Sequence, residues 1–193
     1  MAAVLAGLTY SFGFAAAIVA GRSLWQFMGA DSTTDLPLWQ LPLVLAMLIG
    51  AVVTGRMMSH DTAVRGALFV GSILTALGLV ALAAASRESS FIACLPGLVL
   101  VGAGTGGMAI PFGYLIIRVA PSTAFGPVTG TRVALGEFGY AIGVALMALL
   151  LSTLTLGDGY SHALTVSLGV AAFMILVAGA VAAHLLRGTD VSQ

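Results

Sequence analysis

The 193-residue chain has no lysine, one cysteine and little charge of either sign. Seven arginines face seven acids, so 7% of residues are charged, against about 25% in an average soluble domain. With no net positive field to draw phosphate, a nucleic-acid partner is excluded. The lone Cys94 excludes a disulfide scaffold. Without lysine there is no Gly-x-x-x-x-Gly-Lys phosphate loop, and His-Glu-x-x-His and Gly-x-Ser-x-Gly are absent too. No nucleophile and base are placed to face each other within the bilayer, so no enzyme is expected. His60, His162 and His184 are far apart and offer no metal-ligand spacing; no metal or cofactor is expected. What the chain has in quantity is apolar surface: 60% hydrophobic residues and a mean hydropathy of +1.11. A soluble fold of this size cannot hide so much, and disordered chains are poor in it. The expected surroundings are a lipid bilayer.

A helix needs about 20 mostly apolar residues to cross the hydrocarbon core. Gaps between charges predict six all-helical spans in a single domain, at about 2–21, 36–55, 66–86, 92–117, 133–154 and 162–186. The runs are apolar all round, unlike the alternating strands of a barrel. Asp35 is placed to cap the second span, with Pro37 just inside its start. Pro121, Gly126 and Pro127 are expected to break the chain between spans four and five. Trp25, Trp39, Phe91 and Tyr160 gather near the loops of one side, where aromatics favour the headgroup zone.

Arg56, Arg65, Arg118, Arg132 and Arg187 fall on one side, and only Arg22 and Arg87 on the other. Positive residues stay in the cytoplasm, which predicts a multi-pass protein of the cytoplasmic membrane with both termini inside. Met1–Gly21 lacks the positive leader of a signal peptide. The immediate entry into a span suggests a chain that continues from something upstream, or half of a pair.

Three spans followed by three suggest a duplicated unit. A shift of 100 residues carries each of the first three spans onto one of the last three, and sets Phe12-Gly13-Phe14 on Phe112-Gly113-Tyr114. Because three is odd, the second unit is inverted, the arrangement common in secondary transporters.

The stretch Gly102-Ala-Gly-Thr-Gly-Gly-Met-Ala-Ile-Pro111, then Pro121, Gly126, Gly130 and Gly139-Tyr-Ala-Ile-Gly143-Val-Ala-Leu146, resembles the C-terminal half of a major facilitator superfamily transporter. It is most similar to the fourteen-span drug–proton antiporter branch. The segment from Gly55-Arg56 through Asp61 to Arg65 resembles that family's cytoplasmic loop motif. There are departures: Ser59 stands at the motif's aspartate, and Gly136-Glu137 at the usual Arg-Gln pair, with Arg132 a turn earlier. The resemblance implies one six-helix half-bundle working by alternating access, with proton-coupled export of small amphipathic molecules. The missing half would be a second copy or a facilitator-like partner. Two alternatives stay open: a non-transporting membrane scaffold or regulatory subunit, and a fragment of a longer transporter.

Several residues carry the chemistry. Gly102 with Gly106, and Gly139 with Gly143, are spaced for close helix approach; the resemblance makes these helices moving elements. Pro111 is expected to kink span four. Glu137 is the one acid well inside a span. It sits ~7 Å below the arginine-side interface counted from Arg132, at 1.5 Å per residue. It is a candidate for proton coupling; the competing reading is an interfacial ion pair with Arg118 or Arg132. The resemblance puts Tyr10, Met108, Tyr114, Glu137, Tyr140 and Met147 on the substrate path, beside Met47; ordinary packing is the other role for each. Arg22 reads as an interfacial anchor.

Overall fold

A computed structural model describes residues 2–27, 36–58, 61–86, 90–119 and 125–187. They form six helices: α1 (Ala2–Phe27), α2 (Leu36–Met57), α3 (Asp61–Ala85), α4 (Phe91–Val119), α5 (Phe125–Asp158) and α6 (Tyr160–Arg187). All six are long and apolar enough to cross a membrane. The chain is thus an all-α, multi-pass bundle, and its apolar outer faces suit a lipid bilayer. Asp35, with its expected cap, and Ser59 and Pro121 lie outside the described residues.

The helices outrun the charge-free stretches that predict them. α1 continues past Arg22 to Phe27, because a charge at the interface stops burial in hydrocarbon but not helical hydrogen bonding. α5 begins at Phe125, eight residues before the expected 133, so Gly126 and Pro127 open this helix rather than break the chain. The reason is local. Proline in a first turn loses only an N–H that has no intrahelical acceptor anyway. Pro42, Pro96 and Pro111 also lie within α2 and α4, both assigned as continuous helices.

α5 and α6 are separated by Gly159 alone, at φ +83°. This left-handed conformation ends a helix readily only at glycine. At the same end the Tyr160 hydroxyl donates to the Ser23 carbonyl at 3.4 Å. Trp39 sits between Trp25 and Phe91, with ring centroids at 5.3 and 4.5 Å and both pairs tilted by 51°. Arg56, Arg65, Arg118, Arg132 and Arg187 all sit toward the opposite end.

The helix pairing shows an internal exchange. α1 packs on α5 as α4 packs on α2, and α1 on α6 as α4 on α3; α1 meets α4 and α3 meets α6 across the middle. This is the pattern expected when helices 1–3 and 4–6 are related by a two-fold operation. Phe12 and Phe112 are both buried, whereas Phe14 and Tyr114 are both more open, in keeping with the 100-residue register. Among the described residues the symmetry fails at two places: α5 packs against α6 but α2 has no comparable packing on α3, and α1 touches α3 without a matching α4–α6 contact.

α4 is held through two glycine edges. Side chains at Gly102 and Gly106 would overlap the Leu43 and Met47 carbonyls of α2, and one at Gly50 would overlap the Ala103 carbonyl. Toward α3, a Cβ at Gly78 would come within 2.8 Å of the Gly97 carbonyl. Lipid gives helices no hydrophobic reason to associate, so such close backbone approach supplies the dispersion energy. The buried hydroxyls of Thr75 and Thr105 bond back to Gly71 and Val101 of their own helices, at 2.9 and 2.8 Å. They need no partner from a neighbouring helix.

The α4 packing predicts contrasting effects of two glycine substitutions. Gly106→Ala places a methyl against the α2 backbone and should cost about 1–3 kcal/mol. Gly130→Ala, where nothing lies within 4 Å, should be neutral or stabilising by up to ~1 kcal/mol. Thermal unfolding in detergent checks this; equal midpoints for the two variants would contradict the packing account.

Candidate functional site

α2, α4, α1 and α5 stand side by side in that order, with α3 and α6 packed behind α4 and α1. The two flanks are thinly covered: in an 18-residue apolar stretch of α2 and of α5, 17% of residues are buried, against 44–56% in the corresponding stretches of the other four. The face that the four helices share is where the candidate residues must be judged.

Two aromatic contacts define it. Near the middle of the helices, Phe14 of α1 lies 5.9 Å from Tyr140 of α5, the rings tilted by 42°. About a turn closer to the arginine end of α1, Tyr10 lies 6.1 Å from Phe112 of α4. The Arg132 guanidinium of α5 sits over the Phe112 ring, 5.8 Å from its centroid, and acts electrostatically on Tyr10. Such a cation–π contact contributes about 0.5–1 kcal/mol where exposed and more where water is excluded. Phe112 fits because its neighbour Gly7 has no side chain; a Cβ there would overlap the ring. Three helices are thus joined by one aromatic and one cationic group.

Glu137 is exposed. At 3.6 residues per turn it lies about 120° around α5 from Gly143, whereas Arg132 lies only about 20° from it. Gly143 faces α1, since a Cβ there would fall 2.7 Å from the Ala15 Cβ. Arg132 therefore lies on the α1-facing side of α5, its side chain exposed but reaching over Phe112, and Glu137 lies on the side where Tyr140 meets Phe14. The expected pairing of Glu137 with Arg132 or Arg118 is not formed: Glu137 makes no ion pair among the described residues. Its depth changes too. The apolar stretch of α5 runs Gly126–Thr155, which puts Glu137 about 5 Å along the axis from the midpoint, well inside rather than one turn from an end.

The other candidates separate by burial. Tyr114 is 40% exposed, on the open side of α4. Met108 and Met147 are fully buried; Met108 packs among Ala6, Val64, Leu68 and Leu115, and Met147 in the main core. Both fill the bundle and present nothing to the open face. Gly139 and Gly143 carry the α1–α5 packing, a Cβ at Gly139 falling 3.0 Å from the Ser11 Cβ. Pro111 is buried in α4. Arg56 ends α2, and Asp61 and Arg65 begin α3; the Asp61 side chain is outside the described residues. Sequence reasoning did not single out Phe112 or Arg132 as a pair. The signal was present in the 100-residue register, which matches Phe112 to the buried Phe12.

No family model, no curated protein and no solved structure matches the chain.

Cysteine substitution tests whether the shared face meets water or lipid. The native Cys94 is buried, so its background reaction should be slow. Tyr114→Cys and Glu137→Cys should label with a membrane-impermeant maleimide at least about tenfold faster than Met108→Cys and Met147→Cys. Labelling at all four positions at the Cys94 rate would show that the face is closed to water.

Proposed function

We propose that the chain is one half of a secondary active transporter of the major facilitator type, exporting small amphipathic molecules in exchange for protons. The observation that carries this reading is a lone carboxylate, Glu137, near the middle of an apolar helix and on an open face beside the Phe14–Tyr140 pair. An acidic side chain inside a membrane span is rare and costly, and marks a functional position by default.

The remaining features fit alternating access. Exchange-related helix triplets build a half whose partner closes the substrate path. The lightly covered flanks α2 and α5 offer that partner, a second copy or another six-helix half, two edges to rock against. Phe14, Tyr140 and Tyr10 give amphipathic cargo apolar rings with hydroxyl tips. The Arg132–Phe112–Tyr10 contact lies toward the arginine end, the end that the positive-inside rule would assign to the cytoplasm with both termini.

Reconstitution into vesicles tests the coupling. An imposed pH gradient should drive accumulation of an amphipathic fluorescent dye by the native protein. Glu137→Gln should abolish gradient-driven uptake, a loss of at least about a hundredfold if the carboxyl is the sole proton carrier, while dye binding persists. Unchanged coupling in Glu137→Gln would overturn the assignment. Unchanged activity from a strictly monomeric chain in detergent and vesicles would overturn the half-transporter reading.

A further inference from the structure

An arginine near a membrane boundary normally sends its head toward the aqueous side. Arg132 runs sideways instead, from α5 to α4. A Cβ at Gly113 would fall 3.2 Å from a terminal nitrogen of Arg132, and the guanidinium carbon lies 5.8 Å from the Phe112 ring centroid. The depths agree. Counted from the midpoints of the apolar stretches Gly126–Thr155 and Phe91–Arg118, Arg132 and Gly113 both lie about 13 Å from the middle of their helices. That is inside the hydrocarbon half-thickness of about 15 Å. α4 and α5 otherwise barely touch. The guanidinium thus bridges them across the shared face, where Tyr10 of α1 packs on Phe112.

This cation has no counter-charge: Arg132 is in no ion pair among the described residues. Glu137 lies about 140° around α5 from it. The ring face steadies the charge, but the five N–H donors of the fork have no carboxylate to meet. The side chain is exposed, so a ligand on the shared face can reach it. A charge inside a span calls for a partner, and the chain supplies none.

We propose, resting on the transporter reading above, that the cargo itself supplies it: the cargo is an amphipathic carboxylate, its anionic group held by the Arg132 fork and its apolar body laid along Phe14 and Tyr140. A planar fork takes a carboxylate through two parallel hydrogen bonds. Tyr10 and Phe14 are four residues apart on α1, on one face and about 6 Å apart along the axis, a step that a two-ring body spans. Depth argues for cargo over a lipid headgroup, because the guanidinium is kept at the level of Gly113 rather than turned toward the headgroups.

Binding of radiolabelled 2-naphthoate and 2-naphthamide to the full chain in nonionic detergent, with empty micelles subtracted, tests the site. The two probes share a ring system and differ in charge. The native chain should bind naphthoate at least about tenfold more tightly. Arg132→Gln should bring that ratio to about one. Arg56→Gln, at the exposed end of α2, should leave it unchanged. Should Arg132→Gln fail to give a helical, monodisperse protein, the native ratio decides alone. Equal binding of the two probes by the native chain overturns the proposal, as does an unchanged preference in Arg132→Gln. A preference lost in Arg56→Gln would trace it to the general positive potential of that end, and overturns it too. Displacement of naphthoate by one equivalent of phosphatidylglycerol, but not of phosphatidylcholine, would assign the cation to a lipid headgroup, with the same result. Loss of the anion preference leaves the Glu137 coupling test standing. An intact preference without gradient-driven uptake removes the transport reading and keeps the binding site.

Discussion

Every helix contact in this bundle has to form where lipid tails are as apolar as the side chains, so burying hydrocarbon earns nothing by itself. What remains is proximity. α4 meets it most fully: Gly102 and Gly106 bring its backbone against α2, while Gly97 and Gly104 do the same toward α3. α1 plays the matching part through Ala15 and Ser11, against Gly143 and Gly139 of α5. These two helices form the axis of the molecule, and the open face exists because α2 and α5 attach to it edgewise with most of their surface uncovered.

The same constraint explains the polar groups. Buried threonines and serines mostly bond within their own helices, which leaves the packing between helices free of directional demands. An exception ties α3 to α6: the Ser86 and Thr165 hydroxyls lie 3.4 Å apart. The indole nitrogen of Trp39 is buried with no hydrogen-bond partner among the described residues, and Trp39 sits between the Trp25 and Phe91 rings. Directional chemistry is concentrated where α1, α4 and α5 converge, at Tyr10, Phe112 and Arg132.

The number of spans and their order were legible because charges are rare and hydrocarbon excludes them. Where helices stop was less so. Arg22 marks the edge of the apolar zone but not the end of α1, and Pro127 looks like a breaker until it falls in a first turn. Which way a side chain points was least legible. A helix that is apolar on every side has no periodicity to reveal its inner face, so nothing distinguishes the buried Met108 and Met147 from the open Tyr114. Glu137 was visible as an oddity, yet its distance from Arg132 around the helix depends on which side of α5 meets α1. That was set by Gly139 and Gly143, whose spacing was plain but whose partner was not.

The single residue between α5 and α6 has a mechanical meaning. Two peptide units reach at most about 7.6 Å, so the end of α5 and the start of α6 cannot separate further, and Gly159 supplies the only flexible joint between two helices of 34 and 28 residues. A tilt of α5 is therefore a thrust on α6, delivered without slack. Tyr160, bonded to the Ser23 carbonyl, passes that thrust on to the end of α1. In this corner the bundle behaves as a linkage of stiff rods on a single pin.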